Sequence, residues 1–297
     1  MLYIDTIKLP SKEIIYDYWY SSIYPWNIFM KNCFEWVICK NITIFYGNNG
    51  SGKSTLLNLI GEKIGAKRTT EIFKDYIYEK GTGSEVHFFD DFVNNMNVRL
   101  AVDDNNKPIE LPKNIRLITS DDIFKKIEIR TNHNNQTLNQ IASKRDEYSE
   151  IKKSGNGFKA NSSNYDELVK ILETRRVTKS EYSRAHSDLK EKMSSNGETA
   201  LEYFKDAFRE GGIYLLDEPE NCLSPIFQIE LMRMIEDAVR YYNCQFIICS
   251  HSPIILSLEN AIIYNMDMVP VIPQEWEELD NIKIYYEFFK LKKDKFE

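Results

Sequence analysis

The chain has 297 residues, of which 42% are apolar, and it carries a formal net charge of −7. This length and composition predict a globular protein with a sizeable core, formed as one large domain or two small ones. Charged residues interrupt every apolar stretch well short of the ~18 residues that a membrane span requires, which argues against membrane insertion. The five cysteines show no CxxC spacing, and their odd number predicts reduced thiols in a cytoplasmic protein.

The charge is distributed unevenly along the chain. Residues 121–193 carry 15 Lys and Arg against 12 Asp and Glu, a net charge of +3, which leaves −10 on the remainder. The overall negative charge disfavours nucleic-acid binding. The positive segment leaves two interpretations open, a solvated helical surface of mixed charge and a phosphate-binding face, and we favour the solvated surface.

The N-terminal part of the chain reads as strands separated by an aromatic segment. Apolar and polar residues alternate over residues 2–9, which predicts a first strand, and residues 34–39 predict a second. The aromatic side chains of residues 16–26 belong either to the core or to an adenine-stacking site. If a ring stacks on adenine, Tyr24 and Trp26 are the candidates.

Residues 47–55 read GNNGSGKST and match the phosphate-loop pattern GxxxxGK[ST]. An apolar run precedes this stretch and a leucine-rich one follows it, which predicts a strand, a loop and a helix. Glycines let backbone N–H groups turn towards a triphosphate, Lys53 can reach the β and γ phosphates, and Ser54 can bind Mg²⁺. A plain glycine turn would not explain Lys53 and Ser54 at these offsets. The predicted nucleotide-binding residues are Gly47, Asn48, Asn49, Gly50, Ser51, Gly52, Lys53, Ser54 and Thr55.

Two acids follow a second apolar run. Residues 213–216 predict a strand buried on both faces, as in a parallel sheet, and Asp217 and Glu218 stand at its carboxyl end, where such sheets bind ligands. Burial of adjacent carboxylates is costly unless a cation compensates. We therefore predict that Asp217 holds Mg²⁺, through water or through Ser54, and that Glu218 polarises the attacking water. A solvated turn is the less favoured alternative.

His251 follows a third apolar run, residues 246–249. A lone histidine is usually structural. This one comes one helix after the acid-bearing strand, so we expect both strand ends to face the same ligand-binding edge. We predict that His251 contacts the γ-phosphate.

The remaining segments are mainly helical. Residues 123–193 are predicted to form two charged helical arms, divided by a break at residues 154–164 that is rich in Gly, Asn and Ser. Ser195 and Glu198 match an S-x-x-E capping box at the start of a further helix. The C-terminal residues are predicted to form a closing helix that packs four aromatic side chains, Trp276, Tyr285, Tyr286 and Phe289.

Four motifs in this order resemble those of the ATP-binding-cassette (ABC) ATPases, and within them the soluble members related to RecF and the SMC proteins, such as small bacterial predicted AAA-type ATPases. The motifs are GNNGSGKST (47–55), SSNGE (194–198), IYLLDEPENCLSP (213–225) and FIICSHSP (246–253). The resemblance implies an α/β fold, an ABC-type P-loop ATPase core with a mixed and parallel sheet flanked by helices. This core is expected to be split over residues 1–120 and 194–297, with residues 121–193 as a helical insertion lobe.

The resemblance also implies roles for single residues. Ser195 and Gly197 match the signature motif, which in such proteins meets the γ-phosphate held by the opposite subunit. Asp217 and Glu218 match the Walker B acid and the catalytic glutamate, and His251 matches the switch histidine. Residues 221–224 fall where the family has its D-loop. The family's Q-loop glutamine has no clear counterpart, and its place is expected at Ser120 or Asp121.

These assignments predict a cytoplasmic ATPase that uses ATP and Mg²⁺ and closes head to tail as a homodimer or with a homologous ATPase subunit. The expected role is DNA repair or anti-phage defence, with a nuclease or toxin effector and with DNA as further candidate partners. Two alternatives stay open, an ATP-loaded scaffold or sensor with slow turnover and the ATPase subunit of a membrane transporter. The missing glutamine disfavours the transporter.

Overall fold

The computed structural model describes residues 1–11, 23–32, 34–69, 77–78, 85–154, 165–185 and 195–295. The chain divides into two compact units. The larger consists of Met1–Phe124 and Ala200–Glu297, and the smaller of Lys125–Thr199. The functional division into an ATPase core and an insertion lobe stays a prediction.

A six-stranded sheet organises the larger unit. From one edge to the other, its strands are β11 (Pro273–Gln274), β10 (Ile262–Asn265), β3 (Ile42–Tyr46), β9 (Gln245–Cys249), β8 (Gly212–Asp217) and β7 (Asn114–Thr119). The five strands from β10 to β7 run parallel, and β11 pairs antiparallel with β10. Because parallel strands end at one edge, the polar residues that follow β3, β8 and β9 are brought together there.

Helices complete an α/β architecture, which confirms the predicted fold class. In the larger unit they are α1 (Trp26–Asn32), α2 (Lys53–Lys63), α3 (Phe88–Asn95), the start of α4 (Ser120–Ser154), most of α7 (Asn196–Ala207), α8 (Pro225–Tyr241), α9 (Pro253–Leu256) and α10 (Asp280–Leu291). A Cβ atom on Gly61 of α2 would lie 2.8 Å from Leu117 Cδ1, so this helix packs closely on the sheet. None of the described helices combines the length and the apolar character that crossing a bilayer requires.

The other strands among the described residues form two smaller antiparallel sheets. One has the order β2 (Trp36–Ile38), β1 (Ile4–Lys8) and β6 (Asn97–Leu100), and the other pairs β4 (Ile77–Tyr78) with β5 (Glu85–Val86). The predicted first strand is therefore present, and the predicted second strand is shortened to three residues.

The side chain of Gln245 joins the six-stranded sheet to β1. It is fully buried at the start of β9. Its Oε1 accepts hydrogen bonds from the N–H groups of Tyr3 and Ile4 at 3.0 and 2.9 Å. Its Nε2 donates to the carbonyl oxygens of Ile4 at 2.9 Å and Lys40 at 3.2 Å. One amide thus satisfies four backbone groups where the two sheets meet, three of them in buried hydrogen bonds.

The smaller unit is helical in its described residues. It contains most of α4 together with α5 (Tyr165–Arg176) and α6 (Lys179–Ala185). The rings of Tyr148 and Tyr182 lie 5.6 Å apart, and the Tyr148 hydroxyl donates to the Val177 carbonyl at 3.1 Å. Residues 155–164, which hold most of the predicted break, lie outside the described residues.

The C-terminal segment forms the predicted helix, α10, but the expected packing of its aromatic side chains was wrong. Tyr285, Tyr286 and Phe289 are 45%, 64% and 54% exposed. Trp276 is 37% exposed and donates from Nε1 to the Pro253 carbonyl at 3.0 Å. Aromatic content alone does not predict burial, since the rings of a surface helix stay exposed to solvent unless another element covers them.

We expect Gln245→Ala to lower the free energy of unfolding by about 2–4 kcal/mol, because it leaves buried N–H and C=O groups of β1 without partners. Urea denaturation followed by circular dichroism measures this loss. The matched control is Gln140→Ala, on the exposed surface of α4, which should change the value by less than about 0.5 kcal/mol. Equal effects of the two substitutions would contradict the role of Gln245.

Candidate nucleotide-binding site

The phosphate loop connects β3 to α2, as predicted, and its geometry requires glycine at Gly52. This residue has φ of +94°, and a Cβ atom there would overlap Ile28 Cγ2 on α1. Gly50 also has a positive φ, of +84°. The loop therefore adopts backbone conformations that side chains disfavour, and α1 packs directly against it.

Lys53 is bound by the loop itself. The residue is 4% exposed, and its Nζ donates to the carbonyl oxygens of Gly47 at 2.6 Å and Asn48 at 3.1 Å. The N–H of Asn48 in turn donates to both carboxylate oxygens of Asp267, at 3.0 and 2.9 Å. The ammonium group thus lies over the loop, where its donors can exchange carbonyl oxygens for phosphate oxygens.

Ser54 and Asp217 meet at the carboxyl edge of the sheet. Ser54 Oγ donates to Asp217 Oδ1 at 2.9 Å. Burial raises the pKa of Asp217 from 3.8 to about 6, whereas the hydrogen bond from Ser54 lowers it and the negative charge of Glu218 raises it further. A divalent cation would remove this cost, because it stabilises the ionised carboxylate.

The residues of this edge fit a nucleoside triphosphate with Mg²⁺. Ser51 Oγ is buried and has no hydrogen-bond partner among the described residues, so a water molecule or a polar ligand atom can bind there. A cavity of about 340 Å³ lies beside the loop, and it is lined by Ile28, Asn49, Gly50, Gly52, Lys53, Ser54, Thr55 and Glu218. A serine hydroxyl, a carboxylate and phosphate oxygens are the hard oxygen ligands that Mg²⁺ prefers.

Glu218 leaves the strand in a left-handed conformation, with φ of 47°. Its N–H donates to the Cys249 carbonyl at 2.9 Å, which joins the ends of β8 and β9. Its Oε2 accepts a hydrogen bond from Asn221 Nδ2 at 2.9 Å. The turn therefore directs the chain out of the sheet at the point where a catalytic carboxylate was predicted, and the side chain lines the cavity.

His251 lies beside Glu218, at the end of the neighbouring strand. Its Nδ1 is 3.7 Å from Glu218 Oε1 and 3.8 Å from Glu220 Oε1, and its side chain is 46% exposed. The structure thus brings the phosphate loop, Asp217, Glu218 and His251 to one edge of one sheet. Their roles with nucleotide stay predictions.

Ser195 and Gly197 belong to the smaller unit. The predicted capping box is confirmed, because the Ser195 N–H donates to Glu198 Oε2 at 2.7 Å and the Glu198 N–H donates to Ser195 Oγ at 3.2 Å. Ser195 therefore caps α7. Ser194, the first residue of the motif, lies outside the described residues.

The two aromatic candidates for adenine stacking, Trp26 and Tyr24, differ in their burial. Trp26 is fully buried, its Nε1 donates to the Phe88 carbonyl at 3.0 Å, and its ring meets that of Phe92 edge-on at 4.9 Å. Trp26 is therefore a core residue, and the stacking hypothesis was wrong for it. Tyr24 is partly exposed, and its hydroxyl lies 3.4 Å from Thr55 Oγ1.

At the expected Q-loop position, α4 begins directly after β7. Asp121 is exposed, whereas Asp122 is 3% exposed. Asp122 Oδ2 accepts hydrogen bonds from the N–H and hydroxyl of Thr119 at 3.0 and 3.1 Å. Asp122 thus forms a capping box with Thr119 at the start of α4. The counterpart of the Q-loop glutamine stays open between Ser120 and Asp121.

Two carboxylates of the site were missed by sequence reasoning, Glu220 and Asp267. Glu220 lies in a 3₁₀ turn, Pro219–Cys222, and is 6% exposed. Asp267 follows β10 and holds the phosphate loop through Asn48. Glu220 comes shortly after the predicted strand end at Asp217, which was the available signal for it. Acids in turns are usually solvated, and only the tertiary contacts distinguish Glu220 and Asp267.

No family model matches the chain, and no curated protein does. An Smc head domain from Pyrococcus furiosus, with an extended coiled coil and bound to the C-terminal domain of ScpA, is 14% identical and has a TM-score of 0.41, over 97% of this chain and 100% of that one. An SMC head domain from Thermotoga maritima is 13% identical, with a TM-score of 0.38 over 81% and 93%. A dimeric ATP-binding cassette in a post-hydrolysis state, bound to ADP and Pi, is 15% identical, with a TM-score of 0.33 over 81% and 88%.

We expect Gly52→Ala to weaken MgATP binding by at least about tenfold, because the new methyl group would overlap Ile28 and displace the N–H groups of the loop. Isothermal titration calorimetry measures the affinity. The matched control is Gly65→Ala, whose φ is also positive, at +70°, but whose added methyl group would meet nothing within 4 Å. It should lower stability by about 1 kcal/mol without changing nucleotide affinity.

We expect Asp217→Asn to raise the free energy of unfolding of the nucleotide-free, metal-free protein by about 1–3 kcal/mol at about pH 7.5. The pKa of Asp217 is raised in the folded state, so the cost of ionising it is fully present above about pH 6 and vanishes below about pH 4. Urea denaturation at several pH values measures the difference. Asp237→Asn, on an exposed position of α8, should show no such pH dependence, and a gain that persists at about pH 4 would contradict burial as its cause.

Proposed function

We propose that this chain is an ATPase that hydrolyses ATP to ADP and phosphate in a site completed by a second subunit. The observation that carries the proposal is the 2.9 Å hydrogen bond between Ser54 and Asp217. It joins the helix that follows the phosphate loop to the strand that carries the two acids. A loop that binds phosphates and a carboxylate suited to Mg²⁺ therefore share one edge with Glu218 and His251.

The residues of this edge divide the chemical work. Ser54 and Asp217 would hold Mg²⁺, which neutralises charge on the β and γ phosphates when it is bound. Lys53 would contact the same phosphates with its ammonium group. Glu218 would accept a hydrogen bond from a water molecule and orient its oxygen towards the γ-phosphorus, while the bond to the β–γ bridging oxygen breaks. Catalysis of this kind depends on positioning and charge stabilisation.

The second subunit would contribute the signature residues Ser195 and Gly197. Ser195 caps the N-terminus of α7, whose partial positive charge suits a phosphate, and the resemblance to ABC ATPases directs this helix to the opposite subunit's γ-phosphate. A shift from about 1% to about 99% closed dimer requires about 5.5 kcal/mol of preference for the closed form. Contacts to two γ-phosphates can supply it.

We expect Glu218→Gln to lower ATP hydrolysis by about 10²–10⁴-fold and to accumulate an ATP-dependent dimer, since nucleotide binds but the water is no longer activated. Lys53→Ala should stay monomeric with ATP because it lacks a phosphate contact. Size-exclusion chromatography with light scattering, with and without ATP, measures both. The control Glu210→Gln, at an exposed position, should behave as the wild type, and identical profiles for Glu218→Gln and Lys53→Ala would count against the mechanism.

The process that uses the ATPase is proposed on the resemblance alone, as DNA repair or anti-phage defence with an effector. If the trapped Glu218→Gln dimer forms, it is the species in which a bound nuclease, toxin or DNA should be sought. Very slow turnover of the wild type, with a stable ATP-dependent complex, would favour the scaffold or sensor alternative over a working ATPase.

A further inference from the structure

Glu220 is a buried acid at the edge of the candidate site, with a set of hydrogen bonds of its own. One of its oxygens, Oε1, accepts from Ser250 Oγ at 2.7 Å, from the His251 N–H at 2.9 Å and from the Ser252 N–H at 3.1 Å. Burial of a carboxylate is costly, and three donors on one oxygen offset that cost. The three donors are consecutive residues of the turn between β9 and α9.

The turn that Glu220 binds carries His251. A second hydrogen bond, from the Glu218 N–H to the Cys249 carbonyl at 2.9 Å, also crosses from the end of β8 to the end of β9. Glu218 and His251 thus lie between two connections, the hydrogen bonds of Glu220 to the turn and the Glu218–Cys249 backbone hydrogen bond. His251 Nδ1 lies 3.7 Å from Glu218 Oε1. The separation of these two side chains therefore depends on the position of the turn relative to Glu218.

The same turn is also connected to the segment that follows the acids. Ser252 Oγ donates to Gln228 Oε1 at 2.6 Å, and Gln228 Nε2 donates to the Leu223 carbonyl at 2.9 Å. Glu220 thus belongs to a continuous set of hydrogen bonds that runs from the end of β8, through the histidine turn, to the start of α8. A network of this kind holds its members in one arrangement.

We propose that Glu220 is a positioning residue that, through the turn at residues 250–252, holds His251 opposite Glu218 for ATP hydrolysis. This inference rests on the proposed function. Glu220 does not line the cavity beside the phosphate loop. Its Oε1 lies 3.8 Å from His251 Nδ1, which is too far for a hydrogen bond, whereas the turn donates to it directly, so Glu220 acts through the turn. Its role concerns the geometry of the reaction and leaves the phosphate-binding contacts of Lys53 and Ser54 intact.

The second oxygen of Glu220 allows Glu220→Gln to serve as a control for Glu220→Ala. Oε2 is buried and has no hydrogen-bond partner among the described residues. A glutamine at this position keeps one oxygen to accept from Ser250, His251 and Ser252, and its amide nitrogen replaces an oxygen that accepts no hydrogen bond from the described residues. Glu220→Gln should therefore preserve the turn, whereas Glu220→Ala removes all three acceptor contacts.

The first measurement is steady-state ATP hydrolysis by the full chain. We expect Glu220→Ala to lower kcat by about 10–100-fold, as for a displacement near 1 Å of a catalytic contact, with KM for ATP changed less than about threefold because the phosphate loop is intact. Glu220→Gln should retain kcat within about threefold. The control Glu259→Ala, at an exposed position after α9, should match the wild type.

The second measurement needs no nucleotide. Amide hydrogen exchange of residues 250–252, read by mass spectrometry, should be slow in the wild type and in Glu220→Gln and faster in Glu220→Ala. The alanine variant lacks the oxygen that accepts from the His251 N–H and leaves the Ser252 N–H with Ser250 Oγ alone among the acceptors in the described residues. If exchange accelerates in Glu220→Ala while kcat stays unchanged, the positioning role is wrong. If exchange is unchanged, Glu220 does not hold the turn.

Two further outcomes are decided by the same set of proteins. If Glu220→Ala fails to fold, Ser250→Ala removes one of the three donors, and an unchanged kcat in that variant would overturn the proposal. If the wild type does not hydrolyse ATP, the proposed function is wrong and the catalytic part of this inference fails with it. The exchange data then still show whether Glu220 holds the turn, so the two failures are distinguishable.

Discussion

The candidate site depends on one hydrogen bond, from Ser54 to Asp217, across the carboxyl edge of the parallel sheet. Ser54 is placed by the phosphate loop that follows β3, and Asp217 by the end of β8, with β9 between the two strands. The bond exists only if all three strands are parallel and in register. Because burial raises the pKa of Asp217 to about 6, the carboxylate at this point is costly without a cation.

Negative charge is concentrated beside this bond, and the protein compensates it in different ways. Glu220 is stabilised by three donors from one turn. Asp217 accepts a hydrogen bond from Ser54, and its position suits Mg²⁺. Glu218 stays partly exposed beside the cavity, where a water molecule can approach. Asp217, Glu218 and Glu220 thus differ in their hydrogen-bond donors and in their burial, which suits them to different roles although they lie within four residues of one another.

Much of this edge was predictable from local pattern. The loop at residues 47–55 has fixed spacings, and the apolar runs before Asp217 and His251 identify parallel strands, whose ends must share an edge. The α/β class follows from the same runs. The capping box at Ser195 and Glu198 is likewise local, since both hydrogen bonds lie within one turn of helix.

Local pattern was therefore enough to predict the phosphate loop, the parallel sheet and the acids and histidine at the strand ends, because these depend on short-range periodicity and on a general rule of parallel sheets. Four features followed only from contacts between distant segments: Glu220 is buried and hydrogen-bonded, Asp267 binds the phosphate loop, Trp26 packs against Phe92, and the aromatic side chains of α10 are exposed. Burial of a side chain depends on which distant segments pack against it, and the local sequence around that side chain does not specify those segments.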